Sequence, residues 1–212
     1  MSPRPYHLGK RQEVIDEGRQ RVLAAARDLL RQSTSYTGFT VEAVARRAGV
    51  ARATVYYQFR SKTGLLEALC DDLALDARMA ELPAVFTQPD PRQALRGFVA
   101  AFARLWAADR PVMRRLRALA ALDPDVAAVI SARDERRRHG IEVLAGRLTP
   151  TQGAAARAVP VLMALTSFET FDCLAGPGGE MTGAVPQVVD LAEAALGNRA
   201  GPAGSRAVRD SS

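Results

Sequence analysis

Residues Phe39 to Leu69, FTVEAVARRAGVARATVYYQFRSKTGLLEAL, decide the fold of this 212-residue chain. Thr40 is a good helix N-cap. Behind it Val41, Val44, Ala45 and Ala48 recur at i, i+3, i+4 and i+7, the spacing of a helix with one buried stripe. Gly49 stands where a helix stops in a left-handed residue, and Val50 can fold back onto the same core. A second short helix is predicted from Arg52 to Gln58. Ser61 caps a third, with Leu65, Leu66, Leu69 and Leu73 on its inner side. Helix, glycine-bearing turn and helix form the helix-turn-helix pattern, whose second helix enters the DNA major groove.

At 100° per residue, Val55 and Phe59 share one side of that second helix as core anchors. Ala53, Thr54, Tyr57 and Gln58 occupy the opposite arc, flanked by Arg52 and Tyr56. Hydroxyls, an amide and a guanidinium on one exposed arc suit base edges and phosphates. The charge agrees. Residues 1–62 carry 12 Lys/Arg against 5 Asp/Glu and residues 63–212 carry 17 against 18, so the formal net charge of +6 divides into +7 and −1. The basic character belongs to the head, as attraction to a polyanion requires.

These residues are similar to the DNA-binding domain of the TetR (tetracycline repressor) family. The likeness rests on Phe39-Thr40, Val44-Ala45, Ala48-Gly49-Val50, Thr54-Val55-Tyr56-Tyr57-x-Phe59 and Ser61-Lys62-x-x-Leu65-Leu66, and spans about residues 11 to 73. Carried over by position, it implies phosphate contacts from Thr40, Tyr56 and Lys62, and a base-facing surface of Arg52, Ala53, Thr54, Tyr57 and Gln58. The sequence departs from the family twice. Ala51 replaces a common capping Ser, and Gln58 replaces a common His.

Around the head, a composition 48% hydrophobic but only 6% aromatic favours helix over sheet. The expected fold is all-α: an N-terminal three-helix head joined to a C-terminal antiparallel bundle, about nine helices in all. The divisions are a basic flexible arm over 1–11, the DNA-binding domain over 12–73, a ligand-binding and dimerisation domain over 74–197, and a disordered tail over 198–212. A first helix is predicted from about Gln12 to Gln32, followed by a break at SxxYTG. The third head helix is predicted to run on to Leu82 and stop at Pro83, leaving 83–91 as a loop. Asp90-Pro91, Asp123-Pro124 and Thr149-Pro150 read as caps followed by a proline in the first turn. The predicted helices are 91–108, 111–121, 124–147, 150–175 and 182–196.

The resemblance implies dimerisation through the last two helices, and their apolar surplus agrees: Leu162, Leu165, Phe168, Phe171, Leu174, Val188, Val189 and Leu191. Phe98, Phe102, Trp106, Met113 and Met163 are candidate cavity residues for a largely apolar effector, with Thr166 and Ser167 as polar contacts. Arg133, Arg136, Arg137, Arg138 and His139, interleaved with Asp134 and Glu135, read as a solvated, ion-paired face.

Cys70 and Cys173 form no ligand cluster, and His7 and His139 stand apart, so neither metal nor cofactor is expected. The catalytic motifs GxSxG, HExxH, the P-loop and the dinucleotide fingerprint are missing. With no long apolar run and no leader, a cytoplasmic protein without membrane contact is expected. The function expected is a homodimeric, ligand-responsive repressor on a palindromic double-stranded operator. The alternatives are a non-sensing architectural DNA binder and a helical-bundle enzyme.

Overall fold

A computed structural model describes residues 6–32 and 39–197, and their side chains from residue 15 onward. The expected tail over 198–212, the break at 33–38 and the first five residues of the arm lie outside it. The described residues are helical and contain no strand. The helices are α1 (Tyr6–Gln32), α2 (Val41–Ala48), α3 (Arg52–Phe59), α4 (Lys62–Asp76), α5 (Leu82–Phe86), α6 (Pro91–Ala108), α7 (Arg110–Ala120), α8 (Pro124–Leu148), α9 (Gln152–Leu165), α10 (Phe168–Ala175) and α11 (Val185–Gly197). Two 3₁₀ turns lie at Met79–Glu81 and Met181–Ala184.

The head forms as its sequence dictates. The Thr40 hydroxyl accepts from Ala43 N at 3.1 Å. Gly49 adopts φ 66°, and Val50 N donates back to Ala45 O at 3.0 Å, closing α2 with a left-handed cap. Ser61 caps α4 by accepting from Gly64 N at 2.9 Å. Gly64 is obligatory, since a Cβ there would lie 2.1 Å from the Phe59 carbonyl oxygen. Ala51 provides no side-chain cap to α3.

Several boundaries differ from expectation. The first helix begins at Tyr6 rather than about Gln12, so residues 6–11 are helical. α4 ends at Asp76, well short of Leu82. Arg78 enters the left-handed region at φ 57° and turns the chain. Pro83 then sits in the first turn of α5, where a missing N–H costs nothing, so part of the predicted 83–91 loop is helical. Asp90 and Asp123 do cap α6 and α8 ahead of prolines. Thr149 instead bonds back to Ala145 O, and Thr151 caps α9. The predicted 150–175 helix is broken at Thr166 and Ser167, where Ser167 turns extended and caps α10. These breaks give eleven α-helices among the described residues instead of about nine.

α1 lies behind the head and binds it to the bundle. Arg27 pairs with Asp72 and Asp76 at 3.0 and 2.8 Å, and Arg31 with buried Asp109 at 2.7 Å. Arg110 clamps α7 to α10 through Asp172 at 2.6 Å and the carbonyls of Asp172, Gly176 and Gly179. Buried apolar residues from Val22 in α1 to Ala192 in α11 form one continuous core. No single described helix is long and apolar enough to cross a membrane; α9 and α10 reach that length and composition only jointly, across a 50° bend.

Candidate nucleic-acid interface and bundle cavity

α3 is seated by Val55 and Phe59, both buried. Arg19 of α1 stacks 4.5 Å above the Phe59 ring and donates to Gln58 O at 3.3 Å, fixing the helix from behind. Arg52, Ala53, Tyr56 and Tyr57 are exposed and Thr54 partly so; Tyr57 is 82% exposed. Arg52 pairs with Glu42 at 2.8 Å and donates to the Tyr56 hydroxyl at 3.3 Å. The Tyr56 bond, then the Glu42 charge, raises its pKa, so the guanidinium stays charged on this surface. Thr40, also exposed, keeps a hydroxyl proton to donate while its oxygen caps α2.

Two residues expected in this surface are placed otherwise. Gln58 is only half-buried overall, but its Oε1 is shut from solvent without a partner. Its Nε2 lies 3.2 Å from where a Cβ on Gly18 would sit. The amide therefore packs against α1 and not outward. Lys62 forms an ion pair with Asp123, the N-cap of α8. Burial would raise the Asp123 pKa, but the Lys62 bond and the N–H groups of Val126 and Asp125 outweigh it, leaving the carboxyl below its usual range. Thr63 adds a bond to Asp125 at 3.3 Å. The start of α4 is thus tied to the start of α8.

Behind that tie, a cavity of about 560 Å³ lies among α4, α5, α6, α7 and α8. Phe98, Phe102, Trp106 and Met113 line it as the sequence suggested, the rings following one another at 4.7 and 5.7 Å between centroids. Cys70, Leu73 and Ala74 make the α4 wall, and Met79, Leu82 and Phe86 close one side. Gly140 allows α8 to approach, since a Cβ there would lie 2.9 Å from Phe98.

Met163, Thr166 and Ser167 do not line the cavity. The Met163 carbonyl and the Thr166 hydroxyl accept from Arg137 at 2.7 and 2.9 Å, and the Thr166 carbonyl accepts from Trp106 Nε1 at 3.1 Å. Met163 and Thr166 hold the wall from outside, while Ser167 caps α10. The arginine cluster also divides differently from the solvated face expected. Arg133, Arg136 and Arg137 line the cavity with Asp134, and Arg137 is buried. Burial, the largest influence, lowers its pKa. The sequence held a signal for this: Val126, Ile130, Ile141 and Leu144 are the buried stripe of α8, and Arg137 falls within its period. Among the described residues no His, Cys, Asp and Glu group could hold a metal ion.

Of the eight proposed interface residues, Leu162, Phe168, Phe171, Val188 and Val189 are buried within a single chain. They fill the contacts of α9, α10 and α11 with α6 and one another, so they cannot also face a partner. Leu174 and Leu191 are exposed and Leu165 is half-buried.

The chain matches the family described as bacterial regulatory proteins, tetR family, over residues 22–69. No curated protein matches it. Its fold is similar to that of a transcriptional regulator from a Rhodococcus species, with 24% identity, a TM-score of 0.57, and coverage of 82% of this chain and 94% of that one. NalD of Pseudomonas aeruginosa, the secondary repressor of the MexAB-OprM multidrug efflux pump, gives 17% identity, 0.60, 85% and 96%. A putative transcriptional regulator from Saccharomonospora viridis, solved in complex with choline, gives 20%, 0.57, 82% and 94%.

Proposed function

We propose, from a chain whose residues 22–69 belong to the tetR family of bacterial regulatory proteins, a homodimeric cytoplasmic transcriptional repressor released from its operator by a small molecule. Each head offers one exposed α3 to a major groove. Arg52, Ala53, Thr54 and Tyr57 face the bases, and Thr40 and Tyr56 face phosphates. Two such helices on a two-fold axis read an inverted repeat with half-sites about 34–36 Å apart. Leu174 and Leu191, exposed on α10 and α11, together with the half-buried Leu165 of α9, belong to the dimer contact.

The observation that carries ligand response is that α4 starts in the head and serves as a cavity wall. Lys62 at its first residue is tied to Asp123, while Cys70, Leu73 and Ala74 in its middle face the cavity. A molecule filling the cavity bears on the same helix that sets the head's position. It works only by binding the DNA-incompetent arrangement more tightly, since equal affinity for both shifts nothing.

Selection of bound duplexes from a random pool tests this reading. The expected product is an inverted repeat, bound by a dimer in sedimentation. Enrichment of a single asymmetric site, or a monomer on the DNA at micromolar concentration, removes the two-fold scheme.

A further inference from the structure

We infer that the effector is an amphiphile with a single anionic head and an apolar body, and that Arg136 at the cavity rim receives the head; this rests on the cavity being the effector site. Four guanidiniums and two carboxylates line the cavity, Arg117, Arg133, Arg136 and Arg137 against Asp71 and Asp134. Both carboxylates are already engaged. Asp134 lies between Arg117 at 2.8 Å and Arg137 at 3.2 Å, and Asp71 holds Arg133 at 2.7 Å. Arg117 takes Glu169 as well, at 2.9 Å. A cationic ligand would find no carboxylate without a guanidinium on it.

Arg136 differs from the other three. It makes no hydrogen bond or ion pair to a described residue, and it is exposed while lining the cavity. Its charge is felt across the opening at Cys70, where burial raises the thiol pKa and Arg133 and Arg136 pull it down. Deeper in, Arg137 has only 3% of its side chain exposed and leaves its Nε without a partner, as does Arg133. Buried donors left unsatisfied favour an acceptor over another cation. The aromatic wall does not reverse this preference, because the Arg137 guanidinium already stands 5.9 Å over the Phe102 ring. The mutually tilted rings of Phe98, Phe102 and Trp106 leave an apolar floor, and the cavity of about 560 Å³ suits a small organic molecule.

The chain has a single tryptophan, and Trp106 lines the cavity, so its emission reports occupancy. Decanoate, decanol and decyltrimethylammonium, which share an alkyl chain and differ in head charge, are titrated below micelle formation into the full-length protein. Decanoate is expected to bind about tenfold or more tighter than decanol, and the cation weakest. Arg136→Gln should abolish the preference for decanoate and leave decanol unchanged; Arg136→Lys should retain most of it. Equal or tighter binding of the cation, no preference over decanol, a preference that survives Arg136→Gln, or no binding of any probe overturns the assignment. Retention of the selected duplex is followed in the same samples. Charge-selective binding that leaves the duplex bound would remove the regulatory reading and keep the anion site, whereas duplex release indifferent to head charge would do the reverse.

Discussion

Arg52 is held lightly. Its ion pair with Glu42 and its bond to Tyr56 both lie on the surface, with 59% of its side chain exposed, so little would be lost if it turned to a base. Arg52→Ala is expected to cost on the order of 1–3 kcal/mol on the selected duplex and to relax sequence preference. Competition between selected and random duplexes checks it, and equal weakening of both would deny Arg52 a base. Its neighbour Gln58 shows how far the sequence could be read at this scale. A helical projection correctly sets Val55 and Phe59 inward and Arg52, Ala53 and Tyr57 outward, because it gives the direction of each Cβ. It cannot say where a long amide ends. That depends on the gap left by Gly18 on α1, which no pattern within α3 contains. Lys62 escaped for the same reason, since its partner Asp123 is remote in sequence and adjacent only in the fold.

α4 and α8 are tied to each other at their first turns. Asp123 both caps α8 and holds Lys62. Asp123→Asn keeps an oxygen for the N–H groups of Asp125 and Val126 but drops the charge facing Lys62. Freed for phosphate, Lys62 should raise affinity for selected and random duplexes alike and steepen the salt dependence by about one. An unchanged slope would mean that Lys62 never reaches the backbone. Caps were the most legible features of these elements: Asp90-Pro91 and Asp123-Pro124 each started a helix because both signals are local. The breaks at Arg78 and Thr166 were not. Arg78 adopts a left-handed backbone that its residue type does not advertise. Thr166 ends α9 where it meets Arg137 and Trp106, partners supplied by other helices. The cavity was half legible in consequence. Its aromatic floor follows the period of α6, whereas its charged rim comes from residues that looked like a solvated face.

Across the whole molecule, carboxylates bound to cations should set the acid limit of stability. Asp123, Glu169 and Asp172 all lie below the ordinary carboxyl range. In each, burial raises the pKa, but bonds from Lys62, Arg117, and Arg114 with Arg110, respectively, together with other local donors, outweigh it. A pKa depressed by folding gives stabilisation that is complete above the unfolded value, about 4, and is lost as pH falls through the folded value. The urea midpoint should stay flat from about pH 7 to 5 and drop steeply below about 4. Asp172→Asn should flatten that drop, and an equally steep fall in the variant would place the acid sensitivity elsewhere. The division into a helix-turn-helix head and a bundle is drawn from charge and motif. The apolar core does not respect it. Val22 and Leu66 in the head and Val99 and Leu144 in the bundle belong to one uninterrupted interior. Heating should therefore give a single calorimetric transition, with calorimetric and van't Hoff enthalpies equal, and two separated peaks would show independent melting. A head excised after Leu73 would strip the bundle from Leu69 and Leu73, both buried. Head and bundle share one interior, so a lesion anywhere in it becomes a lesion in both.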